Sequence, residues 1–322
     1  MTFPLTRPGH ASDAAETAAP EFPPPAASAG HFVSRRELLW AAGLAAAAVG
    51  IMWDAWVEIL RLGFVNEELS YVLLAPVMIA WIAWVRRAQL ASCRLRGGWV
   101  GLVVLAAGWL VYSYGYVADP VLWRAGAVLA VVGAVITALG TDVLLKFAPA
   151  FAATVFLIPI SPNGRYRLAV PLQNATAQVT QTVCDLLGIY VDRSGNLLSI
   201  NGVDVTVAEA CNGMRMVLTL FLVCYVVAFT LPLRAGLRIL LLVAAPVVAI
   251  ISNVVRLVPT VWLFGHTSAT TAERFHDVSG WVMTVAAFLV LMTSFRSLQR
   301  LTDSAARPGS VRARADGDGD QD

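Results

Sequence analysis

The sequence predicts an all-α polytopic membrane protein with about eight transmembrane helices, and three observations carry this prediction. Of the 322 residues, 58% are hydrophobic and only 14% are charged, which is more apolar than one soluble core requires. Apolar runs that approach the roughly 20 residues of a spanning helix recur along the chain. Arginine and lysine fall mainly on alternate connecting segments.

The apolar runs give the order of the predicted spans. They cover residues 38–57, 69–85, 98–118, 121–140, 143–160, 211–231, 236–263 and 279–296. The fourth and fifth runs are joined by the short sequence GTDV, so we expect them to form a tight helical hairpin. An even number of spans places both termini on the same side of the membrane.

The basic residues indicate which side that is. If the termini are cytoplasmic, the inner segments contain fifteen arginine and lysine residues and the outer segments six, as the positive-inside rule requires. We therefore expect a multi-pass protein of the inner (cytoplasmic) membrane with both termini cytoplasmic. Residues 1–34 and 302–322 have the composition of disordered cytoplasmic tails, and residues 35–301 form a single transmembrane domain.

One long outer segment, residues 161–210, separates the fifth and sixth predicted spans. Apolar residues recur at helical spacing over 168–187, which predicts an amphipathic helix at the outer interface. Two short alternating runs then flank Asn201 and Gly202, a sequence typical of a two-residue hairpin turn. We therefore expect an outer helix and a small hairpin before the sixth span.

The sixth span begins with a thiol and a guanidinium. Cys211 and Arg215 are four residues apart, so they share one face of any helix that includes both, and a cation near a thiol favours the nucleophilic thiolate. Glu209 precedes them. Alternatively, Cys211 is only a small buried residue and Arg215 extends to the interface. The other three cysteines, at positions 93, 184 and 224, form no CxxC pair with each other or with Cys211.

The seventh span contains a polar stripe made of Asn253, Arg256 and Thr260. An arginine inside a membrane is costly unless it faces a cavity or a partner. It either pairs with an acidic residue of the outer leaflet or donates hydrogen bonds to a substrate carbonyl or a developing oxyanion.

Two histidines lie between the seventh and eighth spans. His276 precedes the eighth span, and an imidazole is suited to proton transfer at neutral pH. Alternatively, the neighbouring Asp277 and Ser279 merely cap the following helix. His266 is a second candidate on the same predicted loop, and spacing does not rank the two histidines.

A cysteine, an intramembrane arginine and a histidine thus reach one outer face from three spans. Thiol-dependent acyl transfer requires these three groups, as nucleophile, oxyanion donor and general base. We expect no metal or organic cofactor, because no cluster of ligands is present, and no nucleic-acid partner.

Three segments resemble the signature motifs of one family of membrane-embedded cysteine transpeptidases, the exosortases and archaeosortases. They are EACNGMR at 209–215, NVVRL at 253–257 and FHDVSGW at 275–281. The similarity extends to residues 68–87, to FLIPISP at 156–162 and to PLQNATAQ at 171–178, and so covers most of the chain between the tails. Asn212 departs from the serine that usually follows the cysteine, which indicates a less common subfamily.

The resemblance implies a catalytic set of Cys211, Arg256 and His276, and it favours His276 over His266. The supporting or substrate-binding positions are then Glu209, Asn212, Arg215, Asn253 and Asp277. Such enzymes cleave a C-terminal sorting signal of exported proteins, made of a motif such as Pro-Glu-Pro, a spanning helix and a basic cluster. The cleaved protein is passed to a cell-surface acceptor linked to lipid or polysaccharide.

Two other functions are alternatives to this one. A transporter or a scaffold for exopolysaccharide export would use Asn253 and Arg256 to line a path, but the two halves of the chain show no repeat. A purely hydrolytic intramembrane protease would use the same residues as the transpeptidase, and only its product would differ.

Overall fold

The computed structural model describes residues 33–94, 98–207 and 213–305, and the side chains of residues 298, 299 and 301–305 are not described. Most of the two predicted tails, and the predicted site residues Glu209, Cys211 and Asn212, lie outside this part of the chain. The α-helices of the described part are α1 (Arg35–Ile51), α2 (Trp53–Val65), α3 (Tyr71–Val85), α4 (Gly98–Ala118), α5 (Pro120–Leu139), α6 (Thr141–Lys146), α7 (Ala148–Ala153), α8 (Pro162–Leu186), α9 (Gly213–Thr230), α10 (Ala235–His266) and α11 (Ala269–Ala305). Short 3-10 helices occupy Glu67–Leu69, Arg87–Ser92 and Thr154–Leu157.

The polytopic all-α fold is confirmed, but the count of eight spans is not. Among the described residues, six helices are long and apolar enough to cross a membrane, and a seventh crossing results if α1 and α2, which meet at 81°, form one bent span. The six are Glu67–Val85, Gly98–Ala118, Pro120–Leu139, Gly213–Thr230, Ala235–His266 and Ala269–Ser297.

The fifth predicted span is not a continuous helix. Gly140, with a φ of 82°, ends α5, and the chain continues as three short helical pieces rather than one helix. These pieces run alongside α3. At one end the Arg86 side chain donates to the carbonyl of Lys146 over 2.8 Å, and at the other Leu157 packs with Tyr71. Phe147 and Pro149 interrupt the helix between these ends, because proline lacks the N–H that a continuing helix uses.

Helices α4 and α5 form the closest helix pair of the bundle. The glycines on the facing surfaces are Gly101, Gly108, Gly115, Gly126 and Gly133. A Cβ atom at Gly108 would lie 2.5 Å from the backbone nitrogen of Ala130 on the other helix. Small residues are what allow two membrane helices to approach this closely.

A small cap of helix and sheet lies at one end of the bundle, which we call the site end. It contains α8 and a three-stranded antiparallel sheet of β1 (Asp192–Ser194), β2 (Leu197–Ile200) and β3 (Val203–Thr206) in the order β1-β2-β3. The cap core joins α8, the sheet and the last turns of α10, through Ala177, Cys184, Val191, Leu198, Ile200, Val205, Val207, Leu257 and Val261.

Both local predictions for this region are confirmed. The amphipathic helix is α8, which begins six residues before the predicted start. The β2–β3 hairpin pairs Ile200 with Val203 around Asn201 and Gly202, and both turn residues have positive φ, 52° and 79°, as a type I′ turn requires. The additional strand β1 was not predicted.

Candidate active site

The NVVRL and FHDVSGW motifs meet through a direct side-chain contact. Nη2 of Arg256, on α10, lies 2.7 Å from Nε2 of His276, on α11. A guanidinium can only donate, so Nε2 accepts this hydrogen bond and the ring proton of the neutral imidazole is on Nδ1. Nδ1 is 3.2 Å from Oδ1 of Asp277, which accepts from it. The two contacts therefore define one tautomer of His276, in which Nε2 is the unprotonated nitrogen.

His276 is helical and does not lie on a loop. Helix α11 begins at Ala269, ten residues before the predicted start of the span, because Ser268 provides the N-terminal cap: its hydroxyl is 3.4 Å from the backbone nitrogen of Thr271. The alternative of a helix capped by Asp277 or Ser279 is therefore wrong. The Ser279 hydroxyl instead donates to the carbonyl of His276 over 3.0 Å, as serine does inside a helix.

The predicted polar stripe of α10 faces the protein interior. Asn253 is 2%, Arg256 4% and Thr260 0% exposed. The Thr260 hydroxyl donates to the carbonyl of Arg256 over 2.8 Å. Arg256 thus reaches His276 from a buried position, where a charge-assisted hydrogen bond is stronger than it would be in water.

Asn253 lies beside the first residue of α9. A Cβ atom at Gly213 would be 2.9 Å from Nδ2 of Asn253, and Oδ1 of Asn253 is buried without a hydrogen-bond partner. Gly213 follows Cys211 by two residues in the chain. Asn253 therefore presents its carboxamide to the point where the chain enters α9.

Arg215, in the first turn of α9, forms an ion pair with a residue that was not predicted. Its Nη1 lies 3.0 Å from Oε2 of Glu67, and its guanidinium is 5.8 Å from the centre of the Trp281 ring. The neighbouring Glu68 forms a similar 3.0 Å ion pair with Arg165. The sequence does contain an indication of these ion pairs: Glu67 and Glu68 directly precede an apolar span. Two acidic side chains at the end of a bundle need cationic partners.

His266 belongs to a different environment. It is the last residue of α10, where Nδ1 donates to the carbonyl of Trp262 over 2.8 Å and the imidazole stacks on the Trp262 ring. Its Nε2 is 3.4 Å from the Asn201 side chain of the hairpin turn. Ten residues separate it from Arg256, about 15 Å along an α-helix.

Two cavities lie beside the Arg256–His276 pair. A polar cavity of about 500 Å³ is lined by Glu67, Asp204, Val205, Thr206, Phe264, Glu273, His276 and Asp277. A mainly apolar cavity of about 360 Å³ is lined by Ser70, Tyr71, Leu73, Leu74, Arg215, Met216, Thr219, Gly280, Trp281 and Thr284. The imidazole thus borders a polar cavity, and an apolar cavity lies beside the next turn of α11.

The cysteines of the described part of the chain are poorly suited to nucleophilic chemistry. Cys93, Cys184 and Cys224 are free thiols and all are buried. Burial raises the pKa of the Cys93 thiol and of the Cys184 thiol, so both stay protonated at neutral pH. The same part of the chain contains no group of three or more histidine, cysteine or acidic side chains placed to hold a metal ion.

Comparison with known proteins identifies the family. The family model described as transmembrane exosortase matches residues 56–293, a range that includes Glu67, Arg215, Arg256, His276 and Gly280. No curated protein matches the chain, and no solved structure matches it. The contact between the two motifs and the match over most of the chain lead to one conclusion: the protein belongs to the transmembrane exosortase family, whose members are generally cysteine transpeptidases.

Proposed function

We propose that this protein is a membrane-embedded cysteine transpeptidase that cleaves a PEP-CTERM-like C-terminal sorting signal of exported proteins. Cleavage takes place at the outer face of the inner membrane, and the cleaved protein is transferred to a lipid- or polysaccharide-linked acceptor at the cell surface. The observation that carries the proposal is the 2.7 Å contact between Arg256 and His276, which brings two members of the expected catalytic set together beside the start of α9.

In the proposed mechanism, Cys211 is the nucleophile. Its thiol proton passes to Nε2 of His276 while the sulfur bonds to the scissile carbonyl carbon. Arg256 then turns an N–H from Nε2 to the developing oxyanion, which it stabilises. The imidazolium that forms keeps its Nδ1 proton, and the carboxylate of Asp277 stabilises the new charge.

The second half of the cycle returns the proton. The C–N bond breaks as Nε2 of His276 protonates the leaving amine, which leaves a thioester on Cys211. The acceptor nucleophile then attacks the thioester and gives its proton to Nε2 of His276. The C–S bond breaks, and the departing thiolate takes that proton from the imidazolium, which restores the Cys211 thiol. Water in place of the acceptor would give hydrolysis with the same residues.

The distribution of charge supports the proposed orientation. The supporting count uses the predicted order of eight spans: on that order, fifteen basic residues fall on the inner segments and six on the outer ones, and four of those six, Arg124, Arg165, Arg167 and Arg193, are on α5, α8 or the sheet next to it. Exported substrates would meet the polar cavity on this side. The spanning helix of the sorting signal would remain in the membrane beside the bundle.

The proposal is tested by expressing the chain in cells together with a tagged substrate that ends in a sorting signal. Cys211→Ala is expected to abolish processing, whereas Cys224→Ala, which removes a buried thiol of α9, is the matched control and is expected to keep it. The intact mass of the processed substrate then shows either an attached acceptor or a free carboxylate. Processing by Cys211→Ala would refute the mechanism, and a free carboxylate would show hydrolysis.

A further inference from the structure

Gly280 occupies a position on α11 that the mechanism above does not use. It is four residues after His276, so both residues lie on the same face of the helix, one turn apart. A glycine in a helix interior is less favourable than an alanine. A glycine at this position, next to the Arg256–His276 pair, therefore needs a structural explanation.

The reason is the position of the Arg256 guanidinium. A Cβ atom built on Gly280 would lie 2.7 Å from Nη1 of Arg256 and 3.6 Å from its Cζ. A real Cβ atom does not come as close as 2.7 Å to another heavy atom, so any side chain at this position would require the guanidinium to move. The guanidinium thus rests against the backbone of α11, in the space that a methyl group would fill.

The same guanidinium is fixed at its other end by the contact with the imidazole. Nη1 faces Gly280 while Nη2 donates to Nε2 of His276 at 2.7 Å. Because the guanidinium is planar and rigid, a shift of Nη1 also moves Nη2. The α11 backbone is held by its own hydrogen bonds, so an added methyl group would displace the arginine and leave the helix in place.

Arg215 restricts the directions in which Arg256 could move. Its Nη2 would be 3.5 Å from the same Cβ atom, and Glu67 holds this second guanidinium by a 3.0 Å ion pair. The space beside Gly280 is therefore bordered by two cations, each of which contacts a partner of its own. A displaced Arg256 side chain would meet Arg215 on that side.

We propose that Gly280 is a positioning residue: its bare Cα lets the Arg256 guanidinium lie against α11 with Nη2 directed at Nε2 of His276. The role rests on the proposed function, since it matters for the reaction only if this pair is catalytic. Two other roles for Gly280 can be distinguished from this one. In the first, Gly280 is needed only for the packing of α11. In the second, it only shapes the apolar cavity and so affects only substrate binding.

The test compares Gly280→Ala with Gly236→Ala in the full chain. Gly236, in the first turn of α10, has nothing within 4 Å of the position that an added methyl group would take, so it controls for the substitution itself. The first readout is carbethoxylation of His276 by diethyl pyrocarbonate. In this reaction an unprotonated ring nitrogen of the imidazole attacks the reagent. Peptide mass analysis gives the rate at His276 relative to His266 in the same molecule.

We expect His276 of Gly280→Ala to react several-fold faster than in the unmodified protein and as fast as in Arg256→Ala, because Nε2 is no longer covered. Gly236→Ala should match the unmodified protein. Equal labelling in Gly280→Ala and the unmodified protein would overturn the inference, whatever happens to activity.

The second readout is processing of the tagged substrate, and it separates this inference from the proposed function. A fall in kcat on the order of 10- to 100-fold is expected for a displaced catalytic group, with KM little changed. A raised KM with unchanged labelling would mean that Gly280 only shapes the apolar cavity, which overturns the inference. Faster labelling with full activity would support the positioning and refute the catalytic role of the pair.

A further variant keeps the inference testable if Gly280→Ala does not fold. In Arg256→Ala combined with Gly280→Ala the crowded guanidinium is gone, so the double variant should yield as much folded protein as Arg256→Ala alone. If the double variant also fails to fold, Gly280 is required for packing and the inference is wrong.

Discussion

Arg256 and His276 join α10 to α11 by a hydrogen bond of 2.7 Å between Nη2 and Nε2, and this bond assigns a different task to each nitrogen of the imidazole. Nε2 faces the guanidinium and exchanges the proton in the proposed mechanism, whereas Nδ1 faces Asp277.

Arg256→Lys is expected to lower kcat for the tagged substrate by about 10²–10³, the usual cost of losing one oxyanion donor. Lysine keeps the charge but has no planar fork with which to contact imidazole and substrate together. Arg238→Lys is the matched control, because that arginine donates to the carbonyl of Leu233, away from His276. The measurement is the steady-state rate of substrate processing by each variant. Near-normal activity of Arg256→Lys would contradict the proposed donor role.

Asp277→Ala should reduce kcat more mildly, by about tenfold. Asp277 accepts from Nδ1 over 3.2 Å, but its side chain is 77% exposed, so water replaces part of the contact and screens its charge. The loss should grow when salt is lowered, since the unmodified enzyme then gains most from the carboxylate. Glu273→Ala, another acidic residue of the polar cavity, serves as the control. A loss as large as that of His276→Ala would require a stronger role for Asp277.

The Glu67–Arg215 pair is expected to orient the site and to add little to stability. One partner is 71% exposed, and exposed ion pairs contribute about 0.2–1 kcal/mol. A double-mutant cycle of Glu67→Gln and Arg215→Gln, followed by thermal unfolding in detergent, measures the coupling free energy. Glu67→Gln alone should lower activity severalfold, because Arg215 can then crowd Arg256 at Gly280. Coupling well above this range would show that the pair is a structural anchor.

Gly108→Ala should destabilise the protein by about 1–3 kcal/mol, as overpacking does in tightly packed interiors. The new Cβ would lie 2.5 Å from a backbone nitrogen of α5, and backbone cannot move aside as a side chain does. Gly43→Ala is the control, since nothing lies within 4 Å of its Cβ position. Unfolding temperatures of the purified variants provide the comparison. Equal stability of the two variants would mean that α4 and α5 are farther apart than described.

The thiols of Cys93 and Cys184 should react slowly with iodoacetamide at neutral pH. Burial raises the pKa of both, so the thiolate fraction, and with it the rate of alkylation, increases only as the pH rises above the ordinary cysteine range. Mass spectrometry of alkylated peptides gives the rates. Cys184→Ala should retain processing activity, and its loss would place a second necessary thiol in the cap.

Features encoded by neighbouring residues could be predicted from the sequence, whereas contacts between distant segments could not. The β2–β3 hairpin follows from Asn201 and Gly202, and α8 follows from its apolar periodicity, because both signals lie within one element. The start of α11 could not be predicted from hydropathy, because the polar first turns after Ser268 do not extend the apolar run of the span. The break in the fifth predicted span lies at Phe147 and Pro149, and the apolar composition of the whole run concealed it.

The same distinction between local features and distant contacts applies to the candidate active site. That the NVVRL and FHDVSGW motifs share one end of the bundle could be inferred from the order of the spans. The ion pair between Glu67 and Arg215 joins residues 148 positions apart, and no periodicity reports such a pairing. Gly280 has no side chain that indicates chemistry, so its role follows only from the guanidinium that packs against it.

Helix α10 has 32 residues, or about 48 Å at 1.5 Å per residue, which exceeds the roughly 30 Å of a bilayer's hydrocarbon layer. Its final turns pack into the cap through Leu257 and Val261, and Arg256 directly precedes the first of these two residues. The helix exceeds the hydrocarbon layer by about 18 Å, and Arg256 is about 15 Å from its C-terminal end. Helix α10 is therefore long enough to span a bilayer and still hold Arg256 beside the cap.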